Sequence, residues 1–149
     1  MRLLSVPFDE RFREASWLWL NDSELQALID APPLSRSGHD RWYEGLAGRA
    51  NYAVWGVEAD GAPAGVWGLK HVTASDAEYW GYLGERRLRG QGLGQHMLAW
   101  ADEEARRRGL RRLHLVVRKD NPRAVRAYKK AGYACYAETG ATYQMEKSL

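Results

Sequence analysis

Between residues 92 and 132 a helix, a strand and a second helix follow one another, and this order restricts the folds open to the chain. We predict the first helix for "GLGQHMLAWADEEARRRG", which ends near Gly109 and carries four apolar side chains on one face: Leu93, Met97, Ala101 and Ala105. A strand is predicted for "RRLHLVVR". The second helix is predicted for "DNPRAVRAYKKAG", with Asn121 as its N-cap and Gly132 just past its end. Such an alternation favours a mixed α/β sheet.

Further strands are predicted before this segment and at the end of the chain. We predict two strands joined by a tight turn at Asp60-Gly61 for "NYAVWGVEADGAPAGVWGLKHV", and a third for "AEYWGYLGE". The closing stretches "YACYAET" and "TYQMEKS" are predicted to form a hairpin over Gly140. The first fifty residues are predicted to be helical. The predicted fold class is therefore α/β (α+β), with a mixed sheet of six to seven strands flanked by about four helices.

The chain of 149 residues has the length and composition of one globular domain. We predict a single domain, 1–149, in which a helical region, 1–50, precedes a core, 51–149. The only cysteine, Cys135, rules out an intrachain disulfide and is expected to be buried. The histidines have no metal-ligand spacing, so no metal is predicted. The sequence has no signal-peptide or membrane-spanning stretch, and the chain is expected to be cytoplasmic.

Positive charge is concentrated in one part of the sequence. Between Arg86 and Lys130 there are 14 Lys and Arg against 4 Asp and Glu, which gives this part +10 and leaves −7 elsewhere, for a net +3. A basic part of this kind predicts an anionic ligand, either a nucleic acid or a small polyphosphate.

A glycine-rich turn lies at the start of this basic part. "RRLRGQGLGQHML" places Gly90, Gly92 and Gly94 between a strand and a helix. Bare backbone amides at a helix N-terminus bind anions, which favours a phosphate group here. The dinucleotide pattern GxGxxG does not fit, because the third glycine comes one residue early. A P-loop does not fit either, since Gln95-His96 follows where Lys-Ser/Thr is required.

Two motifs of the basic part occur together in a known family. Arg89-x-x-Gly92-x-Gly94 resembles the acyl-CoA-binding signature of the GNAT N-acetyltransferase superfamily, R/Q-x-x-G-x-G/A. The stretch "DNPRAVRAYKKAGY" is similar to a second pattern of that superfamily, N-x-x-A-x-x-x-Y-x-x-x-G-F/Y, at Asn121, Ala124, Tyr128, Gly132 and Tyr133. The resemblance is strong between residues 78 and 136 and weak before residue 50. It implies acetyl-CoA as the co-substrate.

The resemblance also implies where acetyl-CoA binds. In the family the fourth and fifth strands splay apart around the pantetheine arm, and here these strands are "AEYWGYLGE" and "LHLVVR". The diphosphate is expected on the glycine turn, with Arg86, Arg87 and Arg89 supplying charge. Asn121 is expected both to cap its helix and to position the cofactor arm, although capping alone explains it. The predicted cofactor-binding residues are Leu83, Arg89, Gly90, Gln91, Gly92, Leu93, Gly94, Asn121 and Tyr128.

Acetyl transfer to an amine needs a donor to the thioester oxygen, a proton for the sulfur and a base for the amine. The resemblance and general chemistry together assign residues to these roles. A free amide near Leu83 is expected to bond the thioester oxygen. Tyr128 has the family position for protonating the CoA sulfur, with core packing as the alternative. Glu78 is the first candidate for the base that deprotonates the amine, and Glu85 and His71 are the alternatives.

The acceptor pocket is assigned, by resemblance, to the N-terminal helices and the loop between the last two strands. These carry Trp17, Trp19, Asn21, Asp22, Trp42, Tyr43 and the region of Gly140. The N-terminal region is similar to GNAT branches that acetylate nucleotide-linked amino sugars and ribosomal-protein N-termini.

The expected function is acetyl-CoA-dependent N-acetylation of the primary amine of a small molecule, such as an amino sugar, by direct attack on the thioester. Two alternatives stay open: a protein N-terminal or Lys acetyltransferase, and a non-catalytic acyl-CoA-binding module. Neither a nucleic acid nor a membrane is predicted as a partner, and a homodimer is compatible with the sequence.

Overall fold

A computed structural model describes residues 1–29 and 35–149 and contains a seven-stranded sheet in the order β1-β2-β3-β4-β5-β7-β6. The strands are β1 (Leu3–Pro7), β2 (Ala53–Ala59), β3 (Ala62–Lys70), β4 (Asp76–Leu83), β5 (Arg112–Arg118), β6 (Ala134–Glu138) and β7 (Thr142–Ser148). The α-helices of the described residues are α1 (Glu10–Leu20), α2 (Ser23–Ile29), α3 (Arg36–Gly45), α4 (Gly94–Arg107) and α5 (Pro122–Lys130). None of these helices is long and apolar enough to cross a membrane. The predicted mixed α/β fold is confirmed.

Local sequence signals account for most of these elements. Asp60 and Gly61 join β2 to β3 with φ values of 50° and 85°, and positive φ at both positions is typical of a type I′ hairpin. Asn121 caps α5, and Pro122 occupies its first turn. The hairpin predicted for the two last strands is confirmed by the antiparallel pairing of β6 with β7.

β1 is a strand that the sequence did not predict. Its five residues, "LLSVP", show no alternation of apolar and polar side chains, and Pro7 suits only the edge of a sheet. β1 pairs antiparallel with β2, from Leu3 opposite Ala59 to Pro7 opposite Trp55. Pairing with a distant strand, which no local pattern reveals, therefore determines this element.

Hydrophobic clusters cover both faces of the sheet. Along β3, Val66 packs with Phe12 of α1, whereas Trp67 belongs to the cluster that contains Met97 of α4. Successive side chains of a strand point to opposite faces, so helices α1 and α4 lie on opposite sides of the sheet. The expectation that Cys135 is buried is wrong: it is exposed, because β6 is an edge strand with mostly exposed residues.

Gly56 of β2 allows α1 to lie close against the sheet. A Cβ at this position would lie 2.3 Å from Cζ of Phe12, a ring that is fully buried and has no room to move. We expect Gly56→Ala to lower the free energy of unfolding by about 1–3 kcal/mol in urea denaturation. Gly48→Ala is the control, since no atom lies within 4 Å of the added carbon, and its effect should stay below about 0.5 kcal/mol. Equal losses in the two variants would contradict this packing.

Among the strand pairs of residues 1–29 and 35–149, β4 and β5 form the one parallel pair, and they separate soon after pairing begins. The pairing covers Asp76–Glu78 with Arg112–His114, whereas β4 continues to Leu83 and β5 to Arg118. The strands thus diverge, as the family resemblance implies. Their facing edges beyond Glu78 open into a cleft.

Candidate active site

A cavity of about 750 Å³ lies at this divergence. We call one region the turn side, which comprises residues 89–94, Asn121 and Tyr128. The other, the aromatic side, comprises His39, Trp42, Tyr52 and Trp80. Apart from Gln91, both regions line the same cavity, together with the part of β4 from Glu78 to Leu83. The structure brings eight of the nine predicted cofactor-binding residues into this lining, and Gln91 is the exception.

The backbone of Leu83 faces the cleft. The Gly84 amide donates to the Ala64 carbonyl at 2.8 Å, and Leu83 lies opposite Gly65 in the β3–β4 ladder. Leu83 is therefore in a non-hydrogen-bonded pair, and its N–H and C=O point away from β3, toward β5. The carbonyl accepts from Nε of Arg89 at 2.8 Å, which agrees with this direction. The N–H is aimed where the thioester oxygen is expected.

The glycine turn has the backbone conformation of an anion site. Gly90 and Gly92 have φ values of 76° and 78°, a region that residues with a side chain rarely adopt. α4 begins at Gly94, and its N-cap Leu93 has no side chain that bonds the first amides. Those amides, with the positive end of the helix dipole, favour a negatively charged group.

Arg89 has a structural role that the motif did not reveal. Its side chain is 7% exposed and donates to the carbonyls of Leu83 and Gly84, at 2.8 and 3.0 Å, and to Glu24 of α2 at 2.9 Å. Arg86 is paired as well, since its Nε lies 3.1 Å from Oδ2 of Asp22. Both guanidinium groups therefore fasten α2 to the end of β4, and their charge is already balanced by carboxylates.

Another arginine lies beside the turn. Nη1 of Arg123 is 2.6 Å from the position that a Cβ on Gly90 would occupy, and Arg123 borders the cavity. Arg123 lies in the first turn of α5, two residues after the N-cap Asn121. The sequence motif at this place predicted a helix and indicated no role for Arg123 beside the glycine turn. Its proximity to the glycine turn depends on how α4 and α5 pack, which Gln95 fixes by donating to the Ala127 carbonyl at 2.9 Å.

Tyr128 lies on α5, where it lines the cavity and packs against two other aromatic rings. Its ring packs edge-on against Tyr79, with ring centroids 6.3 Å apart, and against Tyr133, at 6.1 Å. Burial raises the pKa of Tyr128 to about 12, so the hydroxyl keeps its proton at neutral pH. Donation to a thiolate, whose reference pKa is about 8.5, is then less favourable than from an ordinary tyrosine. The hydroxyl is thus suited to hydrogen-bond a leaving sulfur and to yield its proton only as negative charge develops.

Asn121 connects two parts of the site. Its Oδ1 accepts from the Ala124 amide at 3.3 Å, which caps α5, and its Nδ2 lies 3.5 Å from the Leu28 carbonyl of α2. The residue therefore ties α2 to α5 across the mouth of the cleft, in addition to capping its own helix.

Of the three candidate bases, Glu78 lines the cavity. Its side chain is 15% exposed, and its carboxylate lies 3.2 Å from Nδ1 of His71 and 3.4 Å from Nζ of Lys70. His71 itself is mostly exposed and contacts the site through Glu78. Glu85 accepts a hydrogen bond from Nε1 of Trp19 at 3.2 Å and does not border the cavity. Glu78 and His71 therefore form one carboxylate–imidazole pair at the cleft.

The predicted acceptor residues divide into two groups. Trp42 lines the cavity, whereas the other residues contact or end the helices. Trp17 packs near His39, and Tyr43 packs on Phe8. Trp19 donates a hydrogen bond to Glu85, Asp22 pairs with Arg86, and Asn21 is the C-cap of α1. Near Gly140, Thr142 borders the cavity. Sequence reasoning missed His39 and Tyr52, because a lone histidine on a short helix and a tyrosine before a strand carry no motif.

The protonation of buried His39 and half-buried His114 gives a stability test. Burial lowers the pKa of His39 and of His114 from the usual value of 6.5. As the pH falls, the unfolded chain therefore binds these protons first, so the free energy of unfolding is fully retained above about pH 6.5 and decreases below it. We expect the melting temperature to fall between pH 7 and pH 5.5. A rise over the same interval would contradict the neutral state of these rings.

Solved acetyltransferases share this fold. Spermidine N-acetyltransferase from Vibrio cholerae, in complex with CoA and spermine, matches with a TM-score of 0.88 at 17% identity, over 98% of this chain and 95% of that one. The Campylobacter jejuni N-acetyltransferase PseH, in complex with acetyl coenzyme A, matches with a TM-score of 0.78 at 17% identity, over 99% of both chains. A GNAT acetyltransferase from Streptococcus pneumoniae matches with a TM-score of 0.75 at 24% identity, over 99% of this chain and 100% of that one. Likeness at these identities establishes the fold alone.

Sequence comparison supplies the family. No curated protein sequence matches the chain significantly. A sequence model of the Acetyltransferase (GNAT) family matches residues 10–133, which include the glycine turn and the α5 motif. The match covers most of the 149 residues and agrees with the observed fold and cleft. The chain therefore belongs to the GNAT acetyltransferase family, acyltransferases that use acetyl-CoA as co-substrate.

Proposed function

We propose that this protein transfers the acetyl group of acetyl-CoA to the primary amine of a small molecule. The observation that carries the proposal is the continuity of the cavity, because the anion-binding turn and the aromatic side are parts of one space. The spermidine N-acetyltransferase among the structural neighbours supports a small amine as the acceptor class.

The turn side fits a diphosphate. The conformation of Gly90 and Gly92 exposes backbone amides, and Arg123 lies beside Gly90. The charges of Arg86 and Arg89 are neutralised by Asp22 and Glu24, so the backbone and Arg123 are the groups that we assign to the phosphates. Leu83, at the end of β4, and Asn121 line the same cavity as the turn.

We assign the roles that direct attack by the amine on the thioester requires to three groups along the cleft. Glu78, paired with His71, takes the proton from the acceptor ammonium and leaves the free amine. The N–H of Leu83 stabilises the negative charge that develops on the thioester oxygen. The hydroxyl of Tyr128 hydrogen-bonds the departing sulfur and supplies its proton, and the proton that the nitrogen loses as the amide forms restores the hydroxyl.

Glu78→Gln is expected to lower kcat at pH 7 by about tenfold or more, since general-base catalysis typically contributes at least this much. The loss should shrink as the pH approaches the pKa of the acceptor amine, because less ammonium then needs a base. Glu85→Gln is the matched control, since it lies outside the cavity and its amide oxygen can still accept from Trp19. Equal kcat losses in both variants, or none in Glu78→Gln, would contradict the role of Glu78.

A thiol-release assay with acetyl-CoA and an amine panel tests the proposed function. The panel contains D-glucosamine, spermidine and a peptide with a free N-terminus. We expect release that depends on a small amine. Release with the peptide alone would favour a protein acetyltransferase, and acetyl-CoA binding without release across a broad panel would favour the non-catalytic module.

A further inference from the structure

Each acetyl transfer releases a proton, and the carboxylate of Glu78 has to pass that proton on. An ammonium group and a thioester give an amide, a thiol and a free proton. Glu78 lines the cavity, and its side chain is 15% exposed. When the acceptor and CoA occupy the cleft, they cover the carboxylate from that side. The proton therefore needs a neighbour of Glu78 that leads to solvent.

In the described part of the chain, two side chains pair with this carboxylate, and one of them can accept a proton. Nζ of Lys70 lies 3.4 Å from Oε2 of Glu78, and Nδ1 of His71 lies 3.2 Å from Oε1. A lysine ammonium only donates, whereas a neutral imidazole has one nitrogen that accepts. An imidazole also takes up and releases a proton readily near neutral pH. His71 is therefore the neighbour that can receive the proton of Glu78.

The second nitrogen of His71 is open to water. The side chain is 68% exposed, and its Nε2 has no hydrogen-bond partner among residues 1–29 and 35–149. With Nδ1 on Glu78, a ring of this exposure leaves Nε2 to solvent. The imidazole thus connects a group that lines the cavity with bulk water.

The backbone of His71 is held in a conformation that brings the ring onto Glu78. Its φ is 52°, a positive value that, outside glycine, the described residues share only at Asp60 of the β2–β3 turn. In a regular strand Lys70 and His71 would point to opposite faces, yet both reach Glu78. The left-handed conformation at the end of β3 accounts for this arrangement. Unfavourable backbone conformations of this kind are concentrated at functional sites.

His114 is the rival histidine, since it lies opposite Glu78 in the β4–β5 ladder. It is half-buried, does not border the cavity, and makes no hydrogen bond to Glu78 in the part of the chain that the structure describes. The nearby charges of Asp76 and Arg112 pair with each other at 3.3 Å. Contact with the carboxylate and exposure to water therefore favour His71.

We propose that His71 carries the proton of the acceptor amine from Glu78 to solvent and so restores the base for the next turnover. The inference rests on the proposed function and adds a residue to the same site. The ammonium gives a proton to Glu78, and the resulting carboxylic acid gives it to Nδ1 of neutral His71. The imidazolium then loses a proton to water or a buffer base, and both groups regain their starting charge. His71 acts through Glu78 and does not touch the amine.

His71→Gly and His71→Asn separate this relay from a structural role. Glycine and asparagine both tolerate positive φ, so the backbone is preserved in each variant. Glycine leaves an empty place beside Glu78, whereas the amide of asparagine still donates to the carboxylate but carries no proton. In weakly buffered solution, with the amine that gives the fastest thiol release, we expect kcat to fall by about tenfold or more in both variants. His114→Gln should stay within about twofold of the wild type.

Chemical rescue with imidazole is a readout that a structural role would not change. We expect added imidazole to raise kcat of His71→Gly by about fivefold or more, with saturation, because the free base takes the place of the missing ring. His71→Asn fills that place and should not respond. The double variant of Glu78→Gln with His71→Gly should not respond either, since imidazole then has no proton to collect from Glu78.

The outcomes distinguish this proposal from the proposed function. An unchanged kcat in His71→Gly, a wild-type kcat in His71→Asn, or a loss in His71→Gly without rescue overturns the relay. Rescue that persists in the double variant also overturns it. In each of these cases thiol release by the wild-type protein leaves the proposed function standing. If the wild-type protein releases no thiol with any amine, the proposed function fails, and the relay fails with it.

Discussion

Tyr128→Phe is expected to lower kcat by about tenfold or more, while acetyl-CoA binds within about twofold of the wild-type affinity. The substitution removes only the hydroxyl, and the ring keeps its packing against Tyr79 and Tyr133. Since the pKa of Tyr128 is raised to about 12, the proton is present throughout the neutral range, and its loss affects the departure of the sulfur alone. Stopped-flow thiol release and calorimetric binding measure the two quantities.

Tyr133→Phe is the matched control for this variant. Its hydroxyl is buried, has no hydrogen-bond partner among the residues that the structure describes, and lies outside the cavity lining. Its removal should therefore leave kcat unchanged and stability equal or higher. An unchanged kcat in Tyr128→Phe would reduce that tyrosine to a packing role. The same loss of kcat in both variants would point to a shared structural effect instead.

Arg89→Ala is expected to have the largest effect on stability and on acetyl-CoA binding together. The substitution leaves the carbonyls of Leu83 and Gly84 and the carboxylate of Glu24 without their buried donor. We expect the free energy of unfolding to fall by about 2–4 kcal/mol, which is typical when a buried charged partner is removed. The dissociation constant of acetyl-CoA should rise by more than about tenfold, because the end of β4 and the turn lose their connection. Urea denaturation and calorimetry provide the measurements.

Arg87→Ala tests the alternative expectation for this basic cluster. Arg87 is exposed in the same loop, and its removal should change the free energy of unfolding by less than about 0.5 kcal/mol. If Arg89 instead supplied charge to the diphosphate, as the motif suggested, Arg89→Ala would weaken binding at unchanged stability. That result would contradict the structural role of its side chain.

The sequence predicted those parts of the fold and site that depend on local patterns. The Asp60-Gly61 turn, the cap at Asn121 and the spacing around Gly92 are short-range signals, and each predicted its element or motif. The divergence of β4 and β5 followed from the family resemblance carried by those same motifs, and the ladder confirms it.

The parts that sequence reasoning missed depend on contacts between distant residues. β1 exists because it pairs with β2, and Cys135 is exposed because its strand ends the sheet. The partners of Arg89 are backbone carbonyls and a carboxylate 65 residues away, which a motif does not encode. His39 borders the cavity because α3 packs on α1, where its Nε2 lies 3.1 Å from the Arg13 carbonyl, and no local motif encodes that contact.

We propose that the cleft between β4 and β5, with the glycine turn at its end, binds acetyl-CoA. Amide NMR of ¹⁵N-labelled protein titrated with CoA tests it residue by residue. We predict that the largest shifts occur at the amides of Leu83, Gly90, Gly92 and Gly94, while those of β1 stay unchanged. Saturable shifts elsewhere on the molecule with these four amides unmoved, or no saturable shifts at all, would contradict the claim.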